Sequence, residues 1–454
     1  MFDVVLVGAG LTGALVAQRL AEAGARCAVV EAGPRGPRPL PAAWRDLTRA
    51  SSDLATVDPR PWAYRAQPPI DWMRVRAVGG RTLLWGGWML RPDLRSLAAA
   101  RDRGRPWPMR FARLDELIRS AEHRLGVEVA QGGELVRRLR AAGLDAGPKR
   151  GVLGPGGKRP LCAQDLLAGV IVIDSTPVVR VLVERGETRG VVALTPDGRS
   201  TVIESKRVVL ASSAIESARI LHETEGIDGG RVGRGLIDHF YCGFMSIVKT
   251  RAPRGGGPLD RAAFIAPQHL GAGLDFALEV RGPVSLATLD DADLALLETP
   301  RAEAERMSYY GVFAIGEMDP TVPRAVRFDG ERRDGLGRVA PILELARPSS
   351  DERALARHMR ARCGEIAKLL AGDGGIVVQV RDPRDRVLGH EAGTCAMGSR
   401  RSGAAPDLDG AVHEVRGLYL ADASRMPTSL DRHPSLTLAG LALRTAERVL
   451  EDLA

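Results

Sequence analysis

Of the eight histidines in the chain, two sit where they could do chemistry. His390 stands in "GHEAGTCAMG", just ahead of a Gly-Thr-Cys turn, and His433 stands in "DRHPSLT". Imidazole is the side chain whose ordinary pKa lies closest to neutrality, so it can take a proton from a weak acid and return it. One histidine taken alone reads as a core residue satisfied by backbone. The question is whether these two meet over something reactive.

A second chemical feature opens the chain. "DVVLVGAGLTGALVAQRLAEAGARCAVVEAG" begins with an apolar run over residues 3–7, the pattern of a buried parallel strand. Gly8-Ala9-Gly10-Leu11-Thr12-Gly13 follows. Gly8 permits a tight turn, Gly10 lets the backbone approach a pyrophosphate, and Gly13 allows close helix–strand packing. The next helix, running through Ala23 and stopped by Gly24, turns its N-terminal N–H groups toward phosphate. A second strand ends at Glu31, with Ala32 after it, about twenty residues past the glycines, where an acid bonds ribose hydroxyls. The acid disfavours a 2′-phosphate, leaving FAD or NAD. "GPGG" at 154–157 and "GDGG" at 372–375 lack the strand before and the helix after. One dinucleotide site in so long a chain points to a single tightly held FAD. "VGGRTLLWGG", residues 78–87, contributes Gly79, Gly80, Thr82, Leu84, Trp85, Gly86 and Gly87, a backbone able to run close against a flat ligand.

The elements that must position these groups fit a chain of 454 residues, more than one hydrophobic core usually holds. Hydrophobic residues make up 44% and charged ones 26%, the balance of a globular protein, and aromatics only 4%, so Leu, Val and Ala must fill the core. The net charge of +8 is spread over arginines interleaved with acids. No basic run with interleaved aromatics and no zinc-finger spacing supports a nucleic-acid partner. Cys27, Cys162, Cys242, Cys363 and Cys395 are odd in number and form no CxxC, which argues against a disulfide framework or a metal site and for a reducing compartment. The N-terminus has no signal-peptide pattern and no stretch approaches a membrane span, so a cytoplasmic location is expected. Residues 241–345 alternate like antiparallel strands, residues 350–371 read as a long helix, and "TRAPRGGGPLD", 250–260, reads as a mobile lid or a passive loop. Near the C-terminus "GLYLADAS" is a strand ending in Asp422, and an amphipathic helix follows "HPS". Its N-terminus could stabilise negative charge on a reduced flavin.

Taken together these segments resemble the glucose–methanol–choline (GMC) oxidoreductase family. The opening glycine motif resembles the family's FAD fingerprint, and "VGGRTLLWGG" its second flavin loop. "RPWPMRFARLDELIRSAEHRLGV" (105–127), "VVLASSAIESARIL" (208–221), "VGRGLIDHF" (232–240), "GHEAGTCAMG" and "LYLADASRMPTSLDRHPSLTLAGLALRTAERV" follow in the family's order. The resemblance implies a discontinuous Rossmann-like FAD-binding domain from 1–90, 155–238 and 385–454. A helical cap follows at 91–154, and a substrate domain on an antiparallel sheet at 239–384. It adds Val179, Ser212, Asp422, Ala423, Pro434, Ser435 and Leu436 to the flavin's surroundings. Substrate contacts are expected from Trp88, Met89, Phe313 and Glu317. The wording "LLWGG" leans toward the branch acting on sugars and polyols.

The family's activity is oxidation of a small-molecule alcohol with hydride transfer to flavin N5, oxygen or another acceptor removing the electrons. Mapped here, its catalytic pair is His390 as general base and His433 as the group that orients the hydroxyl and stabilises charge, although the two roles could be exchanged. His239 and Cys395 are read as ordinary buried residues. Three departures stand out. Leu84 occupies the position from which some relatives attach FAD covalently through a histidine, so the flavin is expected to be noncovalent. Ser212-Ser213 stands where a glycine is usual, and the chain is short for the family. Two competing readings are a lyase that uses the scaffold without net redox chemistry and a non-catalytic flavin-binding electron carrier. The oligomeric state is left open.

Overall fold

The computed structural model describes residues 1–35, 65–67, 71–72, 74–104, 106–227, 230, 232–253, 259–269, 274–384, 387–400, 403 and 405–454. Two sheets organise it. The first is built on the apolar run at the N-terminus: strand Phe2–Val7 pairs in parallel with Cys27–Val30 on one side and with Ser200–Leu210 on the other. Leu6 lies opposite both Val29 and Val209, so three apolar side chains line up across the sheet with no exposure. Ile171–Ile173 extends the sheet beyond Cys27–Val30. The 11-residue strand Ser200–Leu210 does double duty. Its first half pairs antiparallel with Glu187–Leu194, which pairs with Val178–Glu184, and its second half pairs in parallel with Leu418–Leu420. This is how the C-terminal block returns to the glycine loop. Helix Leu11–Glu22 and helix Ser435–Leu453 pack in one core with helix Phe111–Leu125.

The second sheet is antiparallel throughout. Its order is Ile376–Arg381, His239–Val248, Ser308–Glu317, Asp275–Ser285, Ala262–His269, Ala146–Pro148. The last of these strands lies within the segment expected to be a cap. Period-two alternation gives the sheet two characters. Cys242, Leu278, Val280, Val312 and Ala314 point to one face and bury against Leu355, Met359, Cys363, Ile366 and Leu370 of the helix Ser350–Ala371. That helix begins at a capping box in which Ser349 accepts from the Glu352 N–H at 3.2 Å and Glu352 accepts from the Ser349 N–H at 2.9 Å. The opposite face carries Tyr241, Glu279, Arg281 and Phe313, and it faces the first sheet's glycine loop across a cavity. Of the stretch 250–260, residues 254–258 lie outside the described residues. Among the described residues no helix is long and apolar enough to cross a membrane.

Candidate active site

The cavity between the two sheets has a volume of about 730 Å³. One wall is the glycine loop. Gly8 has φ +105°, a left-handed value that excludes most side chains, and a Cβ there would lie 2.5 Å from the Ala211 carbonyl oxygen. A Cβ at Gly13 would lie 2.0 Å from the Gly8 oxygen, so Gly13 serves the close packing of helix on strand and does not line the cavity. Helix Leu11–Glu22 starts at Gly10 with no side-chain cap, so its first N–H groups are open toward the cavity beside Leu11 and Thr12. Glu31 and Ala32 line the same wall. The Glu31 carboxylate accepts from the N–H of Ala9 at 2.8 Å and of Gly33 at 3.0 Å, tying the glycine turn to the end of the second strand. Burial pushes its carboxyl up, against these N–H bonds.

The second loop turns as a short 3-10 helix, Gly80–Leu83. Gly80, Thr82, Leu84, Trp85 and Gly86 line the cavity, with Ser212, Asp422, Ala423, Pro434 and Ser435 across from them. Asp422 is committed to the fold: it accepts from the Ser213 N–H at 3.0 Å, the Ser217 hydroxyl at 2.5 Å and the Ser424 N–H at 2.9 Å. Ser213 has φ +81°, the strained backbone expected where a glycine is missing, and its hydroxyl accepts from Arg74 at 2.7 Å. Leu84 offers no nucleophilic atom to a ligand.

Seven expected contacts do not line the cavity. Gly13 packs as described. Gly79 and Gly87 shape their loop through left-handed φ values of +111° and +67°. Val179 contributes only a carbonyl, to Arg219 at 3.3 Å, while its neighbour Val178 reaches the wall. Leu436 is buried among the helices, one residue past Ser435. Met89 is corrected from substrate contact to core residue: Trp88 faces the cavity and the next side chain points into the hydrophobic core. Glu317 is also corrected. It shares a sheet face with Phe313, which does line the cavity, but sits four residues on, opposite His239 and beyond the cavity.

The histidines do meet. His390 Nε2 lies 3.2 Å from His433 Nδ1, and both side chains border the cavity. Four residues outside the predicted pair hold them: His239, Tyr241, Asp238 and Glu279. His239, read as an ordinary buried histidine, gives its Nε2 to the Leu430 carbonyl at 2.9 Å. A carbonyl only accepts, so Nε2 carries the proton. Burial pushes the His239 imidazolium down to about 3, so the ring is neutral and its Nδ1 is a bare acceptor. His390 Nδ1 lies 3.1 Å from that atom and 2.9 Å from the Tyr241 hydroxyl, which donates to Asp238 at 3.1 Å. The proton between the two Nδ1 atoms belongs to His390, and its Nε2 is left with the lone pair. Leu430 takes a left-handed backbone, φ +65°, to aim its carbonyl. Asp238 accepts from the backbone N–H groups of His239, Gly389 and His390, which fixes the loop carrying the base. Burial and Glu391 push its carboxyl up to about 7. On the far side, His433 Nε2 stands 2.5 Å from Glu279 Oε1. The only hint of His239 in the sequence is its place in "IDHF"; Tyr241 and Glu279 carry no local signal at all.

With His390 protonated at Nδ1 and His433 facing Glu279 through Nε2, the two inner nitrogens can hold one proton between them. Burial pushes the His390 imidazolium well down, with His433, His239 and Arg81 adding to it. His390 is thus a neutral acceptor placed in the wall of a dinucleotide-sized cavity. Cys395, behind the turn, is buried and its thiol is pushed up to about 12, so it is no nucleophile.

An α/β sheet with a dinucleotide-type glycine loop, an antiparallel sheet and two meeting histidines thus border one cavity. Residues 337–442 match the profile of the family described as GMC oxidoreductase. Residues 3–66, which hold the glycine loop, also match the profile described as lycopene cyclase protein. The chain is 25% identical to the C-glycoside 3-oxidase of Arthrobacter globiformis, covering 99% of this chain and 95% of that one. It is 23% identical to the fructose dehydrogenase large subunit of Gluconobacter japonicus, over 99% and 98% of the two chains. It is also 25% identical to the paromamine 6′-oxidase of Streptomyces fradiae, over 100% and 92%. In fold it resembles the crystal structure of pyridoxine 4-oxidase from Mesorbium loti, with a TM-score of 0.66, 18% identity and 99% of both chains covered. The C-terminal match to the GMC oxidoreductase profile and the full-length likeness to these oxidases and dehydrogenases point the same way. The chain is a flavoprotein and an oxidoreductase that acts on CH–OH groups.

Proposed function

We propose that the chain oxidises one hydroxyl of a sugar-like or secondary-metabolite molecule to a ketone or aldehyde, using FAD held without a covalent bond. The residues fit that group: an uncapped helix N-terminus lies beside a left-handed glycine turn, a buried acid closes the second strand, and Leu84 offers nothing to form a link. When bound, the flavin supplies the acceptor for the hydride that leaves the carbinol carbon. Everything else falls to the chain. His390 Nε2 takes the hydroxyl proton, because an alcohol C–H becomes a good hydride donor only as its O–H is lost. His433 holds the same oxygen and shares the proton, and Glu279 offsets the positive charge that develops on the pair. His239, Tyr241 and Asp238 keep His390 in the tautomer that leaves its lone pair toward the cavity. The sugar-like substrate class rests on the relatives named above, and oxygen or another acceptor takes the electrons onward. The flavin-binding unit is assigned to 1–90, 155–238 and 385–454. Five unpaired, buried thiols favour a reducing, cytoplasmic setting.

The observation that carries this reading is the 3.2 Å approach of His390 Nε2 to His433 Nδ1, with His390 Nδ1 already held by His239 and Tyr241. The test is anaerobic mixing of the purified flavoprotein with sugars, glycosides and simple alcohols while flavin absorbance is followed, after acid precipitation has shown whether the flavin is released. Bleaching by an alcohol and flavin in the acid supernatant are expected. A bound flavin that no alcohol bleaches would turn the assignment toward a lyase or a carrier.

A further inference from the structure

The wall of the cavity beside His433 has an unusual balance of charge. Lys149 is 5% exposed and its ammonium has one hydrogen-bond acceptor among the described residues, the Gly86 carbonyl at 2.5 Å. It lies 4.9 Å from the centre of the Trp88 ring. The guanidinium of Arg281 lies 5.5 Å from the same ring and 5.7 Å from that of Phe313. The Trp88 indole Nε1 is buried with no hydrogen-bond partner among the described residues. The Glu279 carboxylate enters this group: it accepts from Arg281 at 2.9 Å and also faces His433. The wall thus places two basic side chains beside one acid that is shared with His433.

A buried ammonium with a single backbone acceptor is costly, because one carbonyl and a ring face replace neither its hydration nor a counter-charge. Burial and Arg281 pull the Lys149 ammonium down to about 7, with Glu279 opposing them, so a negative charge beside it would favour the protonated form. A purely structural tie to the Gly86 carbonyl would need only a neutral donor. An anion in the cavity would find Lys149 and Arg281 both in its wall, and charge-assisted bonds are the strong ones.

We propose that this wall is an anion subsite, and that the natural substrate is a hydroxyl compound bearing a carboxylate or a phosphate ester. Lys149, Arg281 and the Trp88 indole hold the anion while the alcohol meets His390. The inference rests on the alcohol-oxidation reading of the same cavity and narrows its substrate class.

Holoenzyme is mixed anaerobically with a matched set: methyl glucoside, glucuronate and glucose 6-phosphate, with the apparent Kd for flavin bleaching measured for each. The expected result is about 10- to 100-fold tighter binding of at least one anionic member than of the neutral one. The stronger of the two anions distinguishes carboxylate from phosphate ester. In Lys149→Met the ratio should fall to near one, and Lys149→Arg should restore part of it. Equal Kd values across the set, or a ratio that survives Lys149→Met, would overturn the subsite while leaving alcohol oxidation standing. If none of the three bleaches the flavin, alcohol oxidation is the reading in difficulty, and the subsite is decided by binding alone. Inorganic phosphate or glucuronate should then raise the melting temperature of wild-type holoenzyme and not that of Lys149→Met, and no difference between the two would overturn the subsite.

Discussion

Replacing Glu279 by glutamine keeps the shape of the side chain and removes one buried charge. Burial alone would push this carboxyl up, but His433 and Arg281 together hold it down at about 2, so it is ionised wherever the enzyme works. Its Oε1 is 2.5 Å from His433 Nε2. When the histidine pair takes the substrate proton, a positive charge appears within reach of that carboxylate. Two unit charges about 4 Å apart interact by about 4 kcal/mol at an effective dielectric of about 20. If about half of the charge has developed at the transition state, the Glu279→Gln enzyme loses about 2 kcal/mol, or about 30-fold in the rate of flavin bleaching. The assay is anaerobic single turnover at saturating alcohol, with circular dichroism and flavin content confirming that the variant is folded and loaded. Glu279→Asp keeps the charge and should lose much less. A folded, loaded Glu279→Gln enzyme within about threefold of wild type would show that the carboxylate does not act on the proton-transfer step.

Three further outcomes follow from particular residues. Burial first, then His433, His239 and Arg81, pushes the His390 imidazolium well down, and protonation removes the lone pair that does the work. The bleaching rate should therefore hold on a plateau through neutral pH and fall only as pH drops below the ordinary histidine range near 6.5; a rate already halved at pH 7 would contradict the assignment. Ser213 sits at φ +81°, so Ser213→Gly should raise stability by about 1 kcal/mol in denaturant unfolding, relieved strain being partly offset by the lost Arg74 hydrogen bond and a freer unfolded chain. No gain would mean that the surrounding contacts already absorb the strain. Tyr241→Phe removes the hydroxyl that links His390 to Asp238 and should slow bleaching about tenfold without loss of flavin, while an unchanged rate would leave His239 alone as the lock on the tautomer.

The parts of this protein legible in its sequence are those whose physics is local. The strand, glycine turn, helix and closing acid lie within one continuous stretch, and each residue's role depends on near neighbours. The long helix Ser350–Ala371 announces itself by period, and the strained turn at Ser213 by a missing glycine. The rest of the site depends on pairing between distant strands. Alternation shows that Tyr241, Glu279 and Phe313 share a face with their own neighbours, but not that Gly243 lies opposite Phe313 and Phe313 opposite Glu279. Nothing local shows that this face meets the flavin loop, so Lys149, Tyr241 and Glu279 went unseen. His239 is recognisable only once Leu430, far along the chain, turns a carbonyl onto it. Met89 and Glu317 fail for a related reason: proximity in sequence to Trp88 and Phe313 says little about which way a side chain points or where a cavity ends.

The most direct measurement is anaerobic flavin bleaching by an oxidisable alcohol in wild type and in His390→Ala, both folded and both loaded with flavin. Loss of the lone pair on His390 Nε2 should slow bleaching by about 10²- to 10⁴-fold. A His390→Ala enzyme that bleaches as fast as wild type would show that the proton leaves by another route, and that the meeting of His390 with His433 is not what drives the oxidation.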